Sequence, residues 1–206
     1  MLALIDSINQ DSTALIVVDV QNSFIGGNLA VAGAKKIIPT INNLAAKFHH
    51  VILTQDYHPA NHISFADNHH GKNPFEIIDL PYGKQVLWPS HCVQGTADAD
   101  FHADLSIAHA ELIIRKGYHP AVDSYSAFFE ADGRRTGLAG YLNERGIDTV
   151  YVVGIALDYC VAWTAMDATK AGFRCHVIQD ATAAIDQNGS LAQAMAAMQT
   201  AGVILL

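Results

Sequence analysis

The chain has 206 residues, 50% of them hydrophobic and 16% charged, which suits one domain with a full-sized core. Its 12 Lys+Arg against 20 Asp+Glu leave a formal charge of -8, an acidic balance that argues for solubility and against nucleic acid or an anionic membrane as partner. Three cysteines cannot all pair, and no apolar run approaches a bilayer span, so neither a disulfide scaffold nor a membrane-spanning helix is expected.

The N-terminal ten residues lack a basic region and include Asp6, unlike a secretory signal, so a reduced cytoplasm is the expected compartment. Residues 14–18 (Ala-Leu-Ile-Val-Val) form a continuous apolar run, the mark of a strand covered on both faces. Next, Ile37, Ile41, Leu44, Ala45 and Phe48 share one helical face, with Pro39 tolerable only in the first turn. A second strand is expected at 51–53 and a third at 112–114. Leu138, Tyr141 and Leu142 mark a helix stopped near Gly146. A fourth strand, 150–153, breaks at Gly154 and leads to Cys160. Val161, Thr164, Ala165, Ala168 and Thr169 then give a helix stopped by Gly172. Residues 177–178 and 203–206 read as strands around a last helix, 190–202, whose Met195 and Met198 are core filler.

Strand–helix alternation with right-handed crossovers predicts a three-layer α/β/α domain over residues 1–206, built on a mostly parallel sheet of Rossmann type. The segment from about 56 to 110 interrupts the alternation. It holds Pro59, Pro74, Pro81, Pro89 and seven histidines, and it reads as an excursion forming one wall of a site.

In open α/β sheets, ligands collect at the carboxyl ends of the strands. Here those ends carry Asp19, Asp56, Lys116 and, past Gly154, Cys160. Each has an ordinary alternative: an acid after a strand caps a helix, a lysine is solvated, a free cysteine is a small buried hydrophobe. Four different reactive groups at neighbouring ends form a chemical set instead. Asp19 can take a thiol proton, and Lys116 holds the carboxylate and favours thiolate, as does the helix start at Cys160. The N–H groups of Cys160 and of the Ile155–Ala156 turn can bind an oxyanion, so the set points to acyl transfer through a thioester. Cys175 is assigned to the core.

Asp56-x-His58 places two metal-ligand types on one side of an extended segment, and His91 supplies a third from the excursion. Asp/His/His with open positions suits one divalent transition ion: zinc, iron or manganese. His62 and Ser64 are candidates for direct ligation or for supporting the ligands. His69 and His70 read as solvated turn residues, and Cys92 points away from its neighbour His91.

Five spaced motifs carry a resemblance across nearly the whole chain. They are Asp19 in Val-Asp-Val-Gln-Asn-x-Phe, Asp56-Tyr-His58-Pro-Ala-Asn-His62, Trp88-Pro-x-His91-Cys-Val-Gln-Gly, Lys116-Gly, and Gly154-Ile-Ala-x-Asp-Tyr-Cys160-Val. Together they resemble the bacterial nicotinamidases, isochorismatase-like cysteine hydrolases of which some also act on pyrazinamide. The resemblance implies a six-stranded parallel sheet, Asp19 as acid/base, Lys116 as its electrostatic partner, Cys160 as nucleophile, and a metal on Asp56, His58 and His91. It implies that Phe24 and Trp88 sandwich a pyridine ring, that Tyr125 walls the pocket, and that Ile155–Ala156 is a cis peptide shaping an oxyanion hole at Ala156 and Cys160. The implied reaction is nicotinamide to nicotinate and ammonia, in NAD salvage. Its partner is a small molecule, and a homodimer is compatible with it. Leu157 departs from the pattern, where a small polar residue is expected. Rival readings are a ureido or carbamoyl amidohydrolase without the metal group, a non-catalytic binding module, and a zinc hydrolase using metal-bound water.

Overall fold

The computed structural model describes residues 8–106 and 108–206; the segment 1–7, most of the stretch read above as no leader, and Ile107 lie outside the described residues. Eight strands run in chain order: β1 (Thr13–Val18), β2 (His50–Asp56), β3 (Ile77–Leu80), β4 (Gly83–Val86), β5 (Leu112–Lys116), β6 (Thr149–Ile155), β7 (Arg174–Ala183) and β8 (Ile204–Leu205). Among the described residues, five helices accompany them: α1 (Asn22–Gly26), α2 (Ala34–Ala45), α3 (Leu138–Glu144), α4 (Ala162–Lys170) and α5 (Ser190–Thr200). Six strands form one sheet in the order β5-β2-β1-β6-β7-β8, every neighbouring pair parallel. The doubly covered parallel sheet read from the apolar runs is therefore present.

Burial shows why those runs do not alternate with polar residues. In β1, Leu15 and Val17 pack on one side with Ile37, Ile41 and Leu44 of α2. Ala14, Ile16 and Val18 pack on the other with Leu138, Leu142, Ala165 and Met198 from α3, α4 and α5. Each fully buried aliphatic side chain contributes roughly 1.5–3 kcal/mol.

Two expectations for the second segment are corrected. Pro39 lies inside α2, not in its first turn. It is tolerated because Lys35 and Pro39 are exposed, so water can serve the Lys35 carbonyl that proline leaves without a helical donor. Phe48 lies past the helix end but is buried all the same, its ring edge-on to Tyr151 at 5.5 Å.

The excursion between β2 and β5 is more ordered than its composition suggests. It carries the antiparallel pair β3–β4 and two short 3-10 turns, Ala66–Asn68 and Ala97–Ala99. Among the described residues, no helix is long and apolar enough to cross a membrane.

Candidate active site

The sheet order sets β5, β2, β1 and β6 side by side, and their carboxyl ends deliver Lys116, Asp56, Asp19 and, one turn on, Cys160. β1 stops at Val18, and Asp19 turns out of the strand with φ 48, a left-handed conformation that aspartate tolerates better than most residues. β6 approaches β1 so closely at Gly154 (φ 114) that a Cβ there would strike the Val18 backbone. Beyond it the Ile155–Ala156 peptide is cis, and the π-helical turn Leu157–Val161 presents Cys160 before α4 begins.

Lys116 is wholly buried at the centre of this group. Its ammonium lies 2.8 Å from Asp19 Oδ2, 3.3 Å from Cys160 Sγ and 3.2 Å from the Ser124 carbonyl oxygen, and it makes a short contact to Asp56 Oδ1. The pairing with Asp56 was not foreseen. Thr54 Oγ1 donates to Asp19 Oδ1 at 2.6 Å and accepts from the Asp19 N–H at 3.2 Å. Asp19 Oδ2 accepts no aligned hydrogen bond and has the Lys116 ammonium beside it. A carboxylate oxygen of Asp19, one of Asp56 and Cys160 Sγ all lie within 4.8 Å of one another.

Burial dominates the electrostatics. It pushes Asp19 up to about 6, with the nearby Asp56 charge adding to the effect and Lys116 and Thr54 opposing it. Burial acts upward on Asp56 as well, but Lys116 and His58 overcome it and hold that carboxyl well below its ordinary range. Lys116 is pulled down by burial and more than restored by Asp19 and Asp56, so it stays an ammonium. Burial also pushes the Cys160 thiol well above its ordinary value, and Lys116 recovers only part of that. Lys116 thus favours the thiolate as expected, but burial outweighs it, which is why the sulfur needs a base such as Asp19.

Asp56 Oδ2, the oxygen turned away from Lys116, lies 3.7 Å from His58 Nε2 and 3.9 Å from His91 Nε2. These three donors sit within 4.8 Å of one another and all are buried. His58 Nδ1 donates to the Gly117 carbonyl at 2.8 Å and His91 Nδ1 to the Pro89 carbonyl at 2.9 Å. Both imidazoles thereby have Nδ1 engaged as donor and Nε2 converging on Asp56, an arrangement that fits a divalent ion once Nε2 is free of a proton. Gly117 (φ 62) makes room for it, because a Cβ there would collide with the His58 ring. His62 and Ser64 do not join the trio. They bond each other at 2.7 Å, and His62 Nε2 faces the Val122 carbonyl at 3.2 Å. His62 instead shares a second trio with His58 and Asp123. Cys92 is buried, its N–H bonded to Asp98, apart from the ligand groups. His69 is not a solvated turn residue: its Nε2 bonds the Ile63 carbonyl at 2.6 Å.

A small cavity opens between the two groups, lined by Phe24, Trp88, Tyr125, Ala156 and Cys160 as well as by Asp56, His58 and His91. Trp88 Nε1 donates to Tyr125 Oη at 3.0 Å, which fixes both rings. Leu29, Asp123, Tyr159 and Ile185 also line it and were missed; nothing local in their sequence context marks them. Thr54 did carry a signal. It is a polar residue that follows the apolar run 51–53 and lies two positions before Asp56, hence on the same face. Leu157 packs into the core and is not part of the lining, so the departure there leaves the cavity wall unchanged.

The Isochorismatase domain family model matches residues 13–206. A nicotinamidase of Acinetobacter baylyi is 65% identical over 94% of this chain and 91% of its own. A solved Acinetobacter baumannii nicotinamidase/pyrazinamidase superposes with a TM-score of 0.95 at 65% identity, covering 97% of each chain. A Pyrococcus horikoshii pyrazinamidase solved in complex with zinc gives a TM-score of 0.77 at 36% identity, over 95% of this chain and 98% of that one.

Proposed function

The chain belongs to the isochorismatase family, and from that membership we propose that it hydrolyses nicotinamide to nicotinate and ammonia through a thioester on Cys160. The observation that carries the reading is the single cavity in which Cys160 faces the Asp56, His58 and His91 donors. One wall supplies a nucleophile for the amide, and the other supplies donors for an ion beside the ring.

Asp19 Oδ2 takes the Sγ proton of Cys160, and the sulfur attacks the carboxamide carbon. The N–H groups of Ala156 and Cys160 receive the oxyanion. As the C–N bond breaks, Asp19 returns the proton to the leaving nitrogen, and ammonia departs from the thioester. Asp19 then deprotonates a water that attacks the acyl carbon. The C–S bond breaks, nicotinate leaves, and the proton returns to the sulfur. Lys116 stays charged throughout, orienting Asp19 and offsetting the transient negative charge on sulfur.

Phe24 and Trp88 flank the ring, and Tyr125 braces Trp88. Asp56, His58 and His91 would hold one divalent ion, zinc or iron being the fitting choices for this donor set. Bound there, the ion would supply an electron-pair acceptor for the ring nitrogen. Pyrazinamide keeps both the amide and a ring nitrogen, so it is a second substrate. Three unpaired buried cysteines support a reducing compartment such as the cytoplasm for the reaction. Ammonia release from nicotinamide by the purified protein, run beside elemental analysis, tests the reading.

A further inference from the structure

We infer that Gln21 is a positioning residue for the ion site, with its side-chain amide standing in for the strand partner that Asp56 lacks. This rests on the reading of Asp56, His58 and His91 as ion ligands. β1 pairs with β2 from Ala14↔His50 to Val17↔Leu53 and then ends, because Asp19 leaves the strand to reach the thiol. β2 continues to Asp56, whose other neighbour is Lys116 of β5. On the β1 side, the backbone N–H and carbonyl of Asp56 would therefore be buried without partners, a costly arrangement.

Gln21 supplies both. Its Oε1 accepts from the Asp56 N–H at 2.9 Å, and its Nε2 donates to the Asp56 carbonyl at 2.8 Å. The same Nε2 donates to the Ala99 carbonyl at 2.8 Å, and the Gln21 backbone bridges Phe101, so the excursion is tied in as well. Gln21 is fully buried, and these bonds engage its amide oxygen and both amide N–H groups. The two demands on this corner conflict: β1 must break to deliver Asp19, while β2 must stay ordered to aim Asp56 Oδ2 between two imidazoles. A glutamine two residues beyond the break meets both.

The structure also offers a control. Gln55 Nε2 donates to the same Ala99 carbonyl at 2.9 Å but touches neither backbone group of Asp56. Removing it loosens the excursion and spares the ligand.

The test is Zn²⁺ affinity of the whole protein, measured by competition against a chromophoric chelator, with thermal melting alongside. Gln21→Met is expected to bind Zn²⁺ about 10–100-fold more weakly, the usual effect of removing a support behind a ligand. Gln55→Met is expected to keep wild-type affinity even where its melting temperature falls. Gln21→Asn retains the amide but is one methylene too short, so it repeats the test in a variant that leaves no apolar group beside the Asp56 backbone. Wild-type affinity in both Gln21 variants, or an equal loss in Gln55→Met, overturns the inference. A wild-type protein that binds no Zn²⁺ overturns the ligand reading itself, which is a distinct outcome.

Discussion

Lys116 Nζ stands 2.8 Å from Asp19 Oδ2 with both side chains wholly buried, and the same ammonium contacts Asp56. One cation thus separates two buried carboxylates. Lys116→Met would leave them facing each other. Breaking a buried pair from one side costs about 3–5 kcal/mol, so the urea midpoint should fall sharply. Activity should fall by about 10²-fold or more, the range for disabling a proton-transfer group. Wild-type stability in this variant would show that the two carboxylates do not depend on Lys116.

Asp19 must be ionised to accept the thiol proton, and burial has raised it to about 6. Below that pH it is protonated and cannot act as base; above it, the carboxylate is present. The expected kcat/KM profile is level above neutrality and falls about tenfold per unit on the acid side, with its bend near 6. The bend belongs to the coupled Asp19, Lys116 and Cys160 set rather than to one residue. A bend near 4, where an unperturbed carboxylate titrates (~3.9), would contradict the assignment.

Thr54 Oγ1 holds Asp19 Oδ1, which fixes the carboxylate and leaves the other oxygen to face Lys116. Thr54→Val keeps the shape and removes that bond, one to a charged group worth roughly 1.5–3 kcal/mol. We expect kcat to drop about ten- to hundredfold with KM little changed, and Thr54→Ser to restore most of it. A change confined to KM would assign Thr54 to substrate binding instead.

Chelation should act on the opposite kinetic constant. With the donors of Asp56, His58 and His91 emptied, the ring loses its anchor, and KM for nicotinamide should rise more than kcat falls. Gly117→Ala should mimic chelation, since its Cβ displaces the His58 ring. Unchanged nicotinamide affinity in the chelated protein would remove the anchoring role from the ion.

Much of this was legible in the chain because its signals are local. Residues 14–18 are apolar without alternation since Leu15 and Ile16 serve opposite faces of one sheet. Asp19, Asp56 and Lys116 could be placed because each ends an apolar run. What escaped depends on contacts between distant segments. Lys116 reaches Asp56 only because β5 and β2 are neighbours in register, and Gln21 reads as an unremarkable polar residue until β1 is seen to break. The weight of burial on Cys160 was hidden for a related reason. Its helix start and its lysine are visible in sequence, but the burial that outweighs them is a property of the packed core.

The most direct test of the account is single-turnover hydrolysis of nicotinamide, following ammonia and the mass of the acid-quenched protein. Wild-type protein should release ammonia and carry a transient nicotinoyl group on Cys160, while Cys160→Ala should do neither. Ammonia release by Cys160→Ala at the wild-type rate would contradict a thioester route and assign the chemistry to another group in the cavity.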